Sequence, residues 1–371
     1  TGLGVKDINI STGTLTVNGG INISNNNLIN LSFNANNTDL YWVGGMSAND
    51  NTGVLNTGVN DNWSNPDNWS PISGVYAGTN GCIPDINSVV VVDAGSFDGG
   101  STILHLDVDG LAESVTFASN DDNITVTNVA STTLTVGGDV VLDAQADFTG
   151  FTGTFNLTGV TPGASHIINT DGSSLLNADI IVNATTDTYQ LTGSGLISDD
   201  FTLTSGNVDL NSLPLSVSML DLNEVSDLSR SFDFSGQKVV VRGNGASAVV
   251  DFRSGGNNLS ILNSTGAELE FTNSGQTVLE LGEYAFTIPH LDFLLATNVD
   301  ISTKGSADNS VLMTFQDITL NTVTSSLSID NGTSGLRKLY GNISLPNSCI
   351  FNLNHPNGTG YGTLSSRVNG T

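Results

Sequence analysis

Thr133-Leu134-Thr135-Val136-Gly137-Gly138 carries the pattern on which the fold turns. Apolar residues alternate with β-branched threonines, the period of a strand with one buried face, and a glycine pair ends the run. The phrase occurs earlier as Thr14-Leu15-Thr16-Val17-Asn18-Gly19-Gly20, with one asparagine inserted. Runs of the same kind recur as Asp179-Ile180-Ile181-Val182, Phe201-Thr202-Leu203-Thr204, Lys238-Val239-Val240-Val241, Leu259-Ser260-Ile261-Leu262, Thr277-Val278-Leu279-Glu280 and Leu327-Ser328-Ile329. Helical periodicity is almost absent, so the chain reads as all-β. Strand starts fall irregularly, about 20 residues apart, which predicts a right-handed parallel β-helix (β-solenoid) whose coils bury their apolar residues against one another. Tandem β-sandwiches are the competing architecture. The solenoid is preferred because the pattern continues without a break in composition, whereas a sandwich would close and restart.

The charge is as uneven as the strand pattern is regular. Thirty-six Asp and Glu face nine Lys and Arg, a net charge of −27, which removes the basic face that nucleic-acid binding requires. No Lys or Arg occurs between Lys6 and Arg230, so salt bridges cannot organise that stretch. Its acids are mostly Asp beside Gly, Asn or Ser, as in Asp98-Gly99-Gly100, Asp109-Gly110 and Asp171-Gly172, which is turn chemistry. The sequence predicts no cofactor. Ca²⁺ is the one cation that acidic turns would suit, although no EF-hand spacing or GGxGxD repeat is present. No apolar run approaches the ~18 residues of a membrane span.

All three tryptophans lie close together, in Tyr41-Trp42-Val43-Gly44-Gly45 and in Asn62-Trp63-Ser64-Asn65-Pro66-Asp67-Asn68-Trp69-Ser70. Ile83-Pro84-Asp85 and the valine strand Ser88-Val89-Val90-Val91-Val92 follow. This order resembles the opening of β-helical modules in large, adhesin-like surface proteins of Bacteroidota, some of them linked to gliding motility. The match covers residues 41–92; the remainder resembles the family in composition and strand rhythm. The resemblance implies export by the type 9 route and an extracellular, cell-surface location. It also implies a structural or adhesive role without catalysis, with partners in neighbouring modules, further copies of the chain or surface glycans. The sorting domain of such proteins is not evident in residues 361–371, which fits a piece of a longer protein. The expected organisation is residues 1–39 ending a preceding module or forming an N-terminal cap, 40–92 as a Trp-rich opening, and 93–371 as coils.

Two readings of the Trp loop stand side by side. Buried, the indoles plug the first coil while Asn62 and Asn68 cap turns. Exposed, Trp63 and Trp69 stack on sugar rings as a carbohydrate-binding module. A third possibility is a glycan-cleaving enzyme, since Asn169-Thr170-Asp171-Gly172 resembles a polygalacturonase string and Asp199-Asp200 supplies paired carboxylates. That family's Gly-His-Gly and Arg-x-Lys strings are absent, so no catalytic residue is assigned. HExxH, GxGxxG, Walker and nucleophile-elbow patterns are absent too. Cys82 and Cys349 would sit many coils apart and cannot pair within one solenoid.

Overall fold

A computed structural model describes residues 38–44, 61–75, 82–96, 102–118, 124–171 and most of 173–354, apart from short segments within that last stretch. The contacts divide the chain between Ala35 and Asn36. Residues 1–35, which include the first Thr-Leu-Thr-Val phrase, lie outside the described residues, as does Asp98-Gly99-Gly100.

The second unit is a β-solenoid. Its first strands are β1 (Thr38–Trp42), β2 (Trp69–Ser70) and β3 (Ser88–Asp93). β3 lies parallel to β1, with Leu40 opposite Val90, whereas β2 runs antiparallel along the other edge of β1 at Tyr41 and Trp42. Every other strand pairing among the described residues is parallel, so the sandwich alternative, which needs antiparallel sheets, does not hold. The predicted strands form where the alternation placed them. Thr133–Val136, Lys238–Val241 and Leu259–Leu262 coincide with predicted runs, and the others lie within Asp179–Thr192, Asp200–Asp209, Gln276–Leu281 and Ser326–Asp330.

Period two explains the core. In β3 the side chains of Val90 and Val92 are fully buried while Val89 and Val91 stand outward, half-covered. Stacking in register then aligns inward residues into columns. Leu134, Phe155, Ile180, Phe201, Leu220, Val250 and Leu279 form one such column, each opposite the next on adjacent coils. Leu196, Leu215, Val239, Leu269, Leu291 and Ile318 form another on a second wall. All are buried, and each such side chain contributes roughly 1.5–3 kcal/mol of transfer free energy. The coil length departs from the expected 20 or so residues. From β3 onward steps run from 19 residues, Asp200 to Met219, to 30, Leu220 to Val250, because corners vary while the paired strands hold register; the first step, Leu40 to Val90, spans 50 and takes in the Trp loop.

The corners explain the acids. In Asp147-Phe148-Thr149, Asp209-Leu210-Asn211, Asp221-Leu222-Asn223, Asp233-Phe234-Ser235 and Asp251-Phe252-Arg253, the Asp carboxylate accepts the backbone N–H two residues on, at 2.7 to 2.9 Å. The middle residue is buried in every case. One triplet thus closes the turn and anchors it to the core. The turn reading of the acids holds, but the working unit is Asp-apolar-polar rather than Asp-Gly. Gly110 is a case in point: it belongs to the strand Gly110–Ala112. A Cβ there would meet Leu134 Cδ1 at 2.8 Å and Trp63 Cε2 at 3.1 Å, so glycine lets the indole close on the backbone.

Candidate functional site

Trp63 and Trp69 do not offer a binding surface. Their relative exposures are 1 % and 0 %, and Trp42 is also at 0 %. The three indoles pack edge to face, with ring centroids 5.1 Å apart for Trp42 and Trp69 and 4.8 Å apart for Trp63 and Trp69. Trp69 Nε1 donates to the carbonyl of Trp63 at 2.9 Å. The stacking role sketched for Trp63 and Trp69 is therefore corrected: neither indole has a ring face left for a sugar. The loop is zipped to its neighbours by Trp63 N–H to His105 O and by Ser64 N–H to the Asp107 carboxylate, at 2.8 and 3.0 Å. Asn65, not Asn62 or Asn68, caps the 3₁₀ turn Pro66–Asn68, accepting from the Asp67 amide at 3.1 Å. Asn68 is buried and reaches back to the carbonyl of Asn62 at 2.8 Å. Sequence alone left the burial open because a Trp pair on a polar loop suits either role; the residues that cover it, such as Gly110, lie on later coils.

The residues weighed for glycan cleavage fall into structural positions. Asn169 Oδ1 accepts the Asp171 amide at 3.0 Å, and Asp171 is exposed with φ of 38° at the corner. Asp199 and Asp200 lie at the start of a strand, beside Asp179 on the preceding coil, whose carboxylate accepts the Asp200 amide at 3.3 Å. Burial, then the neighbouring carboxylates Asp179, Asp199 and Asp221, pushes Asp200 up to about 6. Burial raises Asp179 and Asp221 as well. Among the described residues none of Asp179, Asp199, Asp200 and Asp221 makes an ion pair. Arg242, at the end of the strand Lys238–Val241 on the other wall, gives its guanidinium to the carbonyl of Ser198.

A second acidic group stands on the outer face of the other wall. Oxygen atoms of Glu268, Glu270 and Asp292 lie within 4.8 Å of one another. Lys238 Nζ already sits 3.1 Å from Glu268 and 2.5 Å from Glu270. An ammonium thus holds the place a Ca²⁺ would take, and the group is on strands rather than on the acidic turns that suggested Ca²⁺. Burial, then Glu268, raises Asp292, with His290 opposing. Cys82 and Cys349 are both free, as their separation along the coils requires.

No protein-family model, curated protein or solved structure matches the chain. Among the described residues no helix is long and apolar enough to cross a membrane.

Proposed function

We propose that the chain is an extracellular structural and adhesive segment of a bacterial cell-surface protein, non-catalytic, in the manner of the Bacteroidota modules its Trp segment resembles. One observation carries the reading: the Trp segment is spent on building the first coil. Trp42, Trp63 and Trp69 are all interior, and the antiparallel β2 takes the hydrogen-bonding edge of β1 at Tyr41 and Trp42, so this segment starts a stack rather than presenting a site. The stacked coils that follow, with their continuous inward columns, suit reach and display. Export by the type 9 route and partnership with neighbouring modules belong to the same proposal.

The test is on cells and on beads. Antibody against the folded chain should label intact, unpermeabilised cells, and beads coated with it should adhere to host or biofilm surfaces above a bovine albumin control. Labelling only after lysis would reject the location. Release of reducing sugar from polysaccharides would reject the non-catalytic role.

A further inference from the structure

Three consecutive corners stack into a surface groove of about 750 Å³, lined by Ser212, Ser235, Gly236, Ile261, Asn263, Ser264, Thr265 and Thr287. Its size falls within the range of ligand clefts. Each corner carries left-handed residues, Asn211 and Ser212 (48° and 62°), Ser235 and Gly236 (49° and 69°), and Asn263 and Gly266 (46° and 81°), and the coils stack at the strand spacing of ~4.8 Å, so each corner brings polar groups to the groove. The groove is braced before any ligand arrives. Asp209 accepts from Gln190 and Ser235 at 3.0 and 2.9 Å, Asp233 accepts from Asn263 at 2.8 Å, and Gln316 ties the last corner through Ser264 O and the Gly266 amide at 2.7 and 3.1 Å. Such bracing lowers the ordering cost of binding.

The lining chemistry selects one ligand class. Among the described residues that line it none is charged, so none of them clamps a carboxylate or sulfate, and the nearby Asp209 and Asp233 carboxylates repel polyanions. None of the described lining residues is aromatic, so they offer nucleobases no platform. What remains is hydroxyl, amide and backbone groups around the half-exposed side chain of Ile261, a match for the hydroxyls and C–H faces of a sugar. The coil spacing is also close to one sugar unit of an extended chain. We infer that this groove binds an uncharged glycan chain lying across the stacked corners 209–212, 233–236 and 262–266. The inference rests on the adhesive reading above and moves sugar recognition from Trp63 and Trp69 to this face.

The test uses the full chain and neutral glucan and mannan oligosaccharides of two to six units, with polygalacturonate and alginate as polyanions, read by calorimetry and by amide NMR shifts. Affinity should rise with length to three or four units, and the shifts should fall at 212, 235, 263–265 and 287. Thr265→Arg and Thr287→Arg, which plug the groove, should weaken binding at least tenfold while circular dichroism stays unchanged, and Ile72→Arg, exposed on an early coil, should bind as the native chain. Neutral-glycan binding that survives both plugs would overturn the groove while leaving adhesion standing. Equal or tighter binding of the polyanions, or no binding of any neutral oligosaccharide, would also overturn it, and bead adhesion tests the parent reading separately.

Discussion

The coils before Arg230 and those after it stack acidic side chains in the same geometry and meet different electrostatics. In the earlier coils Asp179 and Asp200 stand on adjacent strands with no base in a stretch of more than two hundred residues, and the carboxyl of Asp200 is pushed up to about 6. In the later coils Asp251 and Glu280 align on adjacent strands, and Arg253 bonds both. Lys238 bridges Glu268 and Glu270 in the same way on the other wall. A parallel stack in register sets side chains of equal kind about 4.8 Å apart, so any repeated acid becomes a like-charge ladder. The later coils answer the ladder with an inserted cation; in the earlier ones burial and the neighbouring carboxylates raise the carboxyl of Asp200.

If the two regions differ only in this outer layer, their cores should be equivalent. Trp63→Ala in the first region and Phe271→Ala in the second are each expected to cost about 3–5 kcal/mol by chemical denaturation, since both side chains are buried. A loss below ~0.5 kcal/mol for either would break the equivalence. Removing the inserted cation should come next in size. Arg253→Met leaves Asp251, only 5 % exposed, without its bidentate partner and is expected to cost about 2 kcal/mol, tempered by the partial exposure of the arginine.

The ladder without a cation should respond in the opposite sense. The folded-state carboxyl of Asp200 titrates near 6 against about 3.9 unfolded, so its contribution is fully present below the unfolded value and is lost as pH rises through about 6. Asp179 and Asp221 shift in the same direction. Asp200→Asn is therefore expected to stabilise the chain at pH 8 by about 1 kcal/mol, discounted for solvent screening, and to change little at pH 4.5. Urea midpoints at the two pH values measure this, and destabilisation at pH 8 would remove the ladder argument. The smallest effect is assigned to Lys238→Met. Its ammonium is half-exposed, so about 0–1 kcal/mol is expected, declining as salt is added.

Much of the fold was legible from residues because a strand period of two needs only local information. Thr133–Val136, which ends at the glycine pair 137–138, and Lys238–Val241, which follows Gly236-Gln237, form as read. Coil length was not legible. The extra residues between Leu220 and Val250 have the composition of any other corner, so nothing in the string marks the longer step. The ladders were hidden for the same reason, since which acids become neighbours depends on register across coils. The Trp cluster needed Gly110 and the strand Ile103–Leu106 to close over it, contacts that sequence spacing does not encode. The Asp-Phe and Asp-Leu triplets, by contrast, were present in the string, and the signal passed over was the apolar residue between the two polar ones.

Register between coils is the claim on which the columns, the ladders and the groove all depend, and paired cysteines test it most directly. In a Cys82→Ser, Cys349→Ser background, Thr135→Cys with Asn156→Cys places two outward thiols on residues that face each other across adjacent coils. Their Cα separation should be about 4.8 Å, within the range a disulfide accepts. Thr133→Cys with Asn156→Cys slips the pair by two residues, to about 8 Å, beyond that range. Mild oxidation followed by mass analysis should show near-complete intramolecular bridging in the first protein and almost none in the second. Equal bridging in both, or bridging in the slipped pair alone, would contradict the stacked register.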